Sequence, residues 1–308
     1  MDVTLYEVGP RDGLQNEAAR LPVEAKLRLI GALSAAGLSR IEVGSFVRAD
    51  WIPQLADTDE VARKLGPGAG VRYSALVPNR LGLDRALSAG MREVAVFMSS
   101  TESHNRKNTN KTIAQSLEHF REIVPAATEA GATVRAYLST VWGCPYEGKV
   151  DPRRSLEISL ELKQMGCTEI SLGDTIGVGN PRQTAAIVRM FFQAGFGADE
   201  LALHLHDTNG TALANTLSAM DLGVRTFDTS IGGMGGCPYA PGASGNLATE
   251  DVASMLAGMG IETGVDLEKL IDAGELAQEL IGRKLPGRRL QAALGRRRGG
   301  EARQAAST

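Results

Sequence analysis

A single-domain α/β fold, the (β/α)₈ TIM barrel, is the architecture this sequence predicts. Three observations predict it: eight short apolar runs, an amphipathic run between each pair of them, and a glycine that repeatedly closes the amphipathic run just before the next apolar one. The strand candidates are Val3–Val8, Arg40–Val43, Val71–Leu76, Glu93–Phe97, Thr133–Leu138, Glu169–Leu172, Leu201–His206 and Thr226–Asp228. Helix candidates lie near Val23–Ala36, Gln54–Leu65, Leu81–Ala89, Lys111–Ala130, Arg153–Met165, Pro181–Ala194 and Ala212–Asp221. The recurring punctuation is Ala36-Gly37-Leu38, Ala89-Gly90-Met91, Ala130-Gly131-Ala132, Met165-Gly166-Cys167, Ala194-Gly195-Phe196 and Leu222-Gly223-Val224. Glycine there ends a helix in the left-handed region without a Cβ clash. Eight βα units favour a closed barrel over an open doubly wound sheet. The open sheet would also need a bare glycine turn after the first strand, where this chain has the charged Gly9-Pro10-Arg11-Asp12-Gly13.

The 308 residues fit one barrel domain over 1–285, with helices near Ala248–Gly258, Asp266–Ala273 and Leu276–Ile281 added to its outside. Residues 286–308 read as a basic tail, expected to be partly disordered because little beyond Leu294 can be buried. From Arg283 onward eight Lys and Arg face one acid, Glu301, which leaves 25 basic and 35 acidic residues in the body. An acidic body argues against wrapping nucleic acid, and the tail reads as a solvated end before it reads as a docking element. Three scattered cysteines build neither a disulfide framework nor a thiolate zinc site. The chain opens directly on a strand pattern, and no apolar run is long enough for a bilayer, so a cytoplasmic protein away from membranes is expected.

In such a barrel, function sits on the loops after the strand C-termini, and the informative polar residues fall there. His204 and His206, at i and i+2 on the seventh strand, share one face. Two core or substrate-binding histidines would look the same. With Asp12 and Asn246 from separate loops, however, they make an N,N,O,O set without thiolate, which suits Mg²⁺ or Mn²⁺ in an open catalytic site. Arg11, beside Asp12, is either a rim salt bridge or a stabiliser of a developing enolate or carboxylate oxygen. Glu42 interrupts the apolar Ile41-Glu42-Val43, a place for an acid only if it is paired or functional. Asp174 follows the sixth strand and is either functional or the cap of the next turn. The segment 232–246 is too glycine-rich for helix or strand and reads as a lid. Cys237 in its middle is a candidate acid, base or nucleophile, whereas Cys144 shapes a loop and Cys167 belongs to the core.

Longer motifs tie these residues together. They include Glu7-Val8-Gly9-Pro10-Arg11-Asp12-Gly13-Leu14-Gln15-Asn16-Glu17, Ile41-Glu42-Val43-Gly44-Ser45-Phe46-Val47, Gly143-Cys144-Pro145-Tyr146-Glu147-Gly148, Ser171-Leu172-Gly173-Asp174-Thr175-Ile176-Gly177, His204-Leu205-His206-Asp207-Thr208 and the glycine-rich run through Glu250. From about Thr4 to about Gly274 the chain resembles the hydroxymethylglutaryl-CoA lyase family, within the barrel enzymes that include isopropylmalate and homocitrate synthases. The resemblance implies a metal held by Asp12, His204, His206 and Asn246. It implies Arg11 steadying an acetyl-CoA enolate, Cys237 acting in the lid, and Glu42, Asp174 and Glu250 supporting orientation or proton transfer. The implied reaction is retro-Claisen cleavage of 3-hydroxy-3-methylglutaryl-CoA to acetyl-CoA and acetoacetate, by a homodimer acting on an acyl-CoA. Ala18, Arg48-Ala49-Asp50 and Asn209-Gly210 depart from the family's usual residues. A lyase for a related 3-hydroxy-3-alkylglutaryl-CoA is therefore the first alternative expectation, and a Claisen-condensing enzyme is the second, because the same metal site can run the bond in the forming direction.

Overall fold

The computed structural model describes residues 3–66, 70–236 and 245–305, with side chains to residue 300. Eight parallel strands close on themselves in chain order: β1 (Thr4–Glu7), β2 (Arg40–Ser45), β3 (Arg72–Leu76), β4 (Glu93–Ser99), β5 (Thr133–Ser139), β6 (Glu169–Asp174), β7 (Leu201–Leu205) and β8 (Thr226–Thr229). Around them run α1 (Val23–Ala35), α2 (Thr58–Leu65), α3 (Arg80–Ser88), α4 (Glu102–Thr109), α5 (Ile113–Glu129), α6 (Pro152–Met165), α7 (Pro181–Gln193) and α8 (Ala212–Met220). All eight expected strands are present, and the closed barrel is the expected one. No helix among the described residues is long and apolar enough to cross a membrane.

Alternation along each strand divides the molecule into two environments. Val94, Val96 and Met98 of β4, Val134, Ala136 and Leu138 of β5, and Leu203 and Leu205 of β7 are buried in the apolar layer under the helices. The opposite face carries the charged side chains, beside a small apolar cluster of Leu76, Ala95, Phe97 and Tyr137. Arg40 of β2 reaches Glu93 of β4 at 2.6 Å and Glu169 of β6 at 2.8 Å, while Arg135 of β5 reaches Asp228 of β8. None of these strand pairs is adjacent, so the contacts cross the barrel interior. A charged barrel centre is tolerated because each of these buried ions meets an opposite one, and only the Arg40 Nε of the two guanidinium groups is buried without a hydrogen-bond partner among the described residues.

Helix ends follow the sequence chemistry. Thr112 with Gln115 and Asn180 with Gln183 form capping boxes at the starts of α5 and α7. Gly37, at φ +95°, ends α1, and a Cβ there would lie 2.1 Å from the Gly264 carbonyl oxygen.

Three elements differ from expectation. The polar stretch after β4 forms α4, held by two buried polar side chains: His104 Nδ1 meets the Ser99 hydroxyl at 2.6 Å, and Asn105 accepts from the Ser99 N–H at 3.0 Å and donates to the Lys111 carbonyl and the Ser116 hydroxyl at 2.9 Å. The two short helices expected after Asp266 are one helix, α10 (Leu267–Ile281), following α9 (Thr249–Gly258). The basic segment, expected to be partly disordered, forms α11 (Arg288–Ala305). Asp251 caps it by accepting from the backbone N–H of Arg288 and Arg289 at 3.1 and 2.6 Å. Leu290, Ala293 and Leu294, at helical spacing, are buried in the main core. Three apolar residues at that spacing are enough to seat a helix that is otherwise rich in Arg, Gly and Gln. Leu290→Ala is therefore expected to lower the unfolding free energy by about 2–5 kcal/mol in urea denaturation, whereas a solvated tail would leave it unchanged.

Candidate active site

The mouth at the C-terminal ends of the strands holds the polar cluster. After β1 the chain makes a wide helical turn over Gly9–Gly13, in which the N–H groups of Arg11, Asp12 and Gly13 all donate to the Val8 carbonyl. Such single wide turns recur at functional sites because they displace side chains from the regular helical direction. Here the turn presents Arg11 and Asp12 to a cavity of about 280 Å³ also lined by Tyr137, Ser171, His204 and His206.

His204 ends up beside His206, with their Nε2 atoms 3.3 Å apart, and its Nε2 lies 4.0 Å from the Asp12 carboxylate. One ligand atom from each of Asp12, His204 and His206 can be chosen so that all lie within 4.8 Å of one another. The Asn246 amide touches Asp12 at 2.7 Å, and a half-turn of that amide brings its oxygen to the same place. Burial pushes the His206 imidazole down to about 4, with His204 adding to the effect, so the ring is neutral near pH 7 as ligation requires. Burial works against the Asp12 charge, but Arg11, with His204 and Asn246, outweighs it and holds the carboxyl at about 2. Two imidazoles and a carboxylate within reach of one another, with an amide beside them, are a donor set that fits a divalent ion.

Arg11 is gripped on two sides. Its Nε donates to Glu42 and its Nη1 donates to Asp12 at 2.6 Å, while the guanidinium lies 5.2 Å from the Tyr137 ring centre. Among the described residues Nη2 has no protein partner, and Arg11 lines the cavity. Glu42 is fully buried, and burial raises its carboxyl against the pull of Arg11.

Asp174 and Glu250 are placed differently from the other candidates. Asp174 accepts from the N–H groups of Val178 and Gly179 at 3.1 and 2.8 Å, which is the capping alternative. Glu250 is fully buried and accepts from the Gly232 N–H at 2.8 and 3.0 Å. Neither lines the cavity. Gly235, at φ +99°, passes so near the cluster that a Cβ would lie 2.8 Å from the Asn246 amide nitrogen and 3.1 Å from the Asp12 carbonyl oxygen. Cys237 lies outside the described residues. Cys144, in the loop after β5, accepts at 3.2 Å from Thr101 at the start of α4, and burial pushes the Cys167 thiol up to about 12.

Burial, with Glu7 and Asp251 adding to it, lifts the Glu250 carboxyl to about 8 against the backbone bonds that favour its charge. A folded value above the ordinary 4.5 means that the native state binds the extra proton between the two. This contribution to stability is complete below about 4.5 and is lost as pH rises through about 8. Glu250→Gln is expected to flatten the dependence of the urea midpoint on pH between 5 and 9, and an undiminished slope would assign the dependence elsewhere.

Several polar residues of the site are not legible as such in the sequence. Asp228 pairs with His204 in the β7–β8 register, and its carboxylate lies 3.1 Å from the His204 Nδ1. It also accepts from the Ser171 hydroxyl at 2.8 Å and from Arg135. Burial opposes its charge, but Arg135 and His204 hold the carboxyl at about 2. The signal available was the one that exposed Glu42, an acid inside an apolar strand.

Comparison with known proteins agrees with this geometry. The HMGL-like family model matches residues 2–277. The hydroxymethylglutaryl-CoA lyase of Bacillus subtilis is 50% identical over 289 residues, 94% of this chain and 96% of that protein. The mitochondrial hydroxymethylglutaryl-CoA lyase of Bos taurus is 50% identical over 282 residues, 92% of this chain and 86% of that protein. A solved HMG-CoA lyase from Acinetobacter baumannii, in complex with coenzyme A and 3-methylmalate, superposes with a TM-score of 0.90 at 38% identity, covering 94% of this chain and 95% of that one. With its barrel, its metal-competent cluster and a family match over most of its length, the chain belongs to the HMGL-like family, the hydroxymethylglutaryl-CoA lyases.

Proposed function

We propose that this protein cleaves 3-hydroxy-3-methylglutaryl-CoA to acetyl-CoA and acetoacetate with Mg²⁺ or Mn²⁺ as its cofactor, as a cytoplasmic homodimer. The observation that carries the reading is the convergence of Asp12, His204 and His206 at the barrel mouth beside a guanidinium held by two carboxylates. Asp12, His204, His206 and the Asn246 amide oxygen would hold the ion, an oxygen-and-imidazole set without thiolate that suits a hard cation. When bound, the ion supplies Lewis-acid polarisation of substrate oxygens.

In the reaction, the C3 hydroxyl loses its proton and its oxygen becomes the ketone of acetoacetate. The C2–C3 bond breaks, and its electron pair becomes the thioester enolate, which takes up a proton at carbon to give acetyl-CoA. Arg11 stabilises the enolate oxygen. Glu42 and Asp12 fix the plane of its guanidinium and leave Nη2 as the donor for substrate. Asp174 and Glu250 act on orientation, through the loop at 177–179 and through Gly232. Cys237 supplies the proton to the enolate carbon, so Cys237→Ser is expected to slow turnover while Mn²⁺ affinity stays unchanged.

Acetoacetate release from purified protein and 3-hydroxy-3-methylglutaryl-CoA tests the proposal. Activity abolished by EDTA and restored by Mg²⁺ or Mn²⁺ is expected. Absence of acetoacetate in the presence of both ions, with turnover of a longer 3-alkyl homologue, would overturn the substrate. Light scattering of the same preparation checks the dimer.

A further inference from the structure

We propose that Asp228, locked in place by Arg135 and Ser171, is the positioning residue that sets the His204 ring for ligation. The proposal rests on the metal-site reading above and adds a group to it. His204 and Asp228 are register partners on adjacent parallel strands, so their side chains leave the sheet on the same face and meet inside the barrel. The Asp228 carboxylate is fully occupied. One oxygen takes the Ser171 hydroxyl at 2.8 Å, Arg135 Nη1 at 3.2 Å and the His204 Nδ1 at 3.1 Å, and the other takes Arg135 Nη2.

Arg135 cannot swing away. Its Nε donates to Glu169 at 2.5 Å and its Nη1 to the Tyr137 hydroxyl at 2.9 Å, and its guanidinium sits 4.0 Å from the Tyr6 ring centre and 4.8 Å from that of Tyr137. Glu169 is in turn held by Arg40, which also binds Glu93. A continuous set of buried ions therefore runs from the closed end of the barrel to one ring at its open end.

An ionised carboxylate only accepts hydrogen bonds, so the proton of a neutral His204 ring must lie on Nδ1. The Nε2 lone pair is then free on the side of Asp12 and His206. Among the described residues His206 has no such device, because none of them offers its buried Nδ1 a hydrogen-bond partner. The two histidines of the pair are thus unequal: His204 is preset and His206 adapts. Carboxylates behind ligating histidines are a general way of fixing tautomer and ring angle.

The chain has four histidines, so an imidazole ¹⁵N spectrum of metal-free protein at pH 8.5 is resolvable residue by residue, with His204→Gln assigning the signal. The expected spectrum shows His204 as the Nδ1–H tautomer. Asp228→Asn is expected to mix the tautomers and to weaken Mn²⁺ binding by roughly 10–100-fold, read by titration without acyl-CoA, and Asp228→Glu to recover part of it. Ser171→Ala, which removes a single bond to the carboxylate, is expected to change the affinity less. A His204 ring in the Nε2–H form, or a folded Asp228→Asn protein with wild-type tautomer and Mn²⁺ affinity, would overturn the proposal. If Asp228→Asn does not fold, the wild-type spectrum alone decides. None of these readouts requires turnover, so failure to cleave 3-hydroxy-3-methylglutaryl-CoA would count against the substrate and not against the role of Asp228.

Discussion

Replacing Arg11 by Met is expected to lower kcat by roughly 10²–10³-fold with little change in KM. The thioester oxygen carries most of its charge only as the C–C bond breaks. A donor aimed at that charge lowers the barrel's transition state more than its substrate complex, and its loss therefore appears in kcat. The structure gives Arg11 the needed rigidity, since Glu42 and Asp12 hold two of its nitrogens and Tyr137 lies against its plane. Methionine keeps the length of the stem and removes the charge. The Glu42 left behind is fully buried and is already raised by burial, so it can take a proton instead of remaining an unpaired ion. Arg11→Lys is not expected to restore the rate, because one ammonium cannot span Glu42 and Asp12 and still serve the substrate. Steady-state kinetics with saturating Mn²⁺ checks this, and near-normal kcat in Arg11→Met would remove Arg11 from the chemistry. A parallel loss of Mn²⁺ affinity would move its role to the support of Asp12.

Much of the barrel was legible because its strands and helices carry different apolar patterns. Strands such as Glu93–Ser99 are short apolar runs, the helices between them are longer and amphipathic, and the helices end on glycines with positive φ such as Gly37. The site was legible where a residue broke its local pattern: Glu42 inside an apolar strand, the His204 and His206 pair, and Arg11 with Asp12 where a glycine turn would otherwise stand.

What escaped lies in contacts between residues far apart in sequence. Arg135 and Asp228 are 93 residues apart, and nothing local says that they meet. Arg40, Glu93 and Glu169 each stand at a strand start, where a charge ordinarily reads as solvated, and only closure of the barrel turns them inward onto one another. The helix Glu102–Thr109 has no apolar stripe because two buried polar side chains, His104 and Asn105, replace it. The end helix, α11, needs only Leu290, Ala293 and Leu294, which composition alone hides among arginines.

Asp12→Ala and His204→Ala are each expected to abolish measurable divalent-metal binding at concentrations that saturate the wild type, with activity lost in proportion. The loss should exceed the roughly 10–100-fold typical of removing a group one step behind a ligand, because each substitution deletes a donor outright. Survival of the fold is expected for both. Asp12 is partly open to the cavity, and its removal leaves Arg11 paired with Glu42. Removal of the His204 ring leaves Asp228 paired with Arg135 and Ser171, so no buried ion is stranded. Calorimetric titration with Mn²⁺, alongside urea denaturation of each variant, separates ligation from folding. Wild-type affinity in both variants would show that the cluster at the barrel mouth does not hold the metal. Affinity lost in His204→Ala but kept in Asp12→Ala would transfer the carboxylate's part to the pairing of Arg11, and would leave the imidazoles and Asn246 as the ligand set. The Asp12 carboxyl, held at about 2 by Arg11 and its neighbours, remains ionised through any pH at which the His206 imidazole, pushed down to about 4 by burial, is neutral. Metal binding is therefore expected to weaken on acidification through protonation of His206 before it is affected by Asp12, because ligation needs the neutral imidazole.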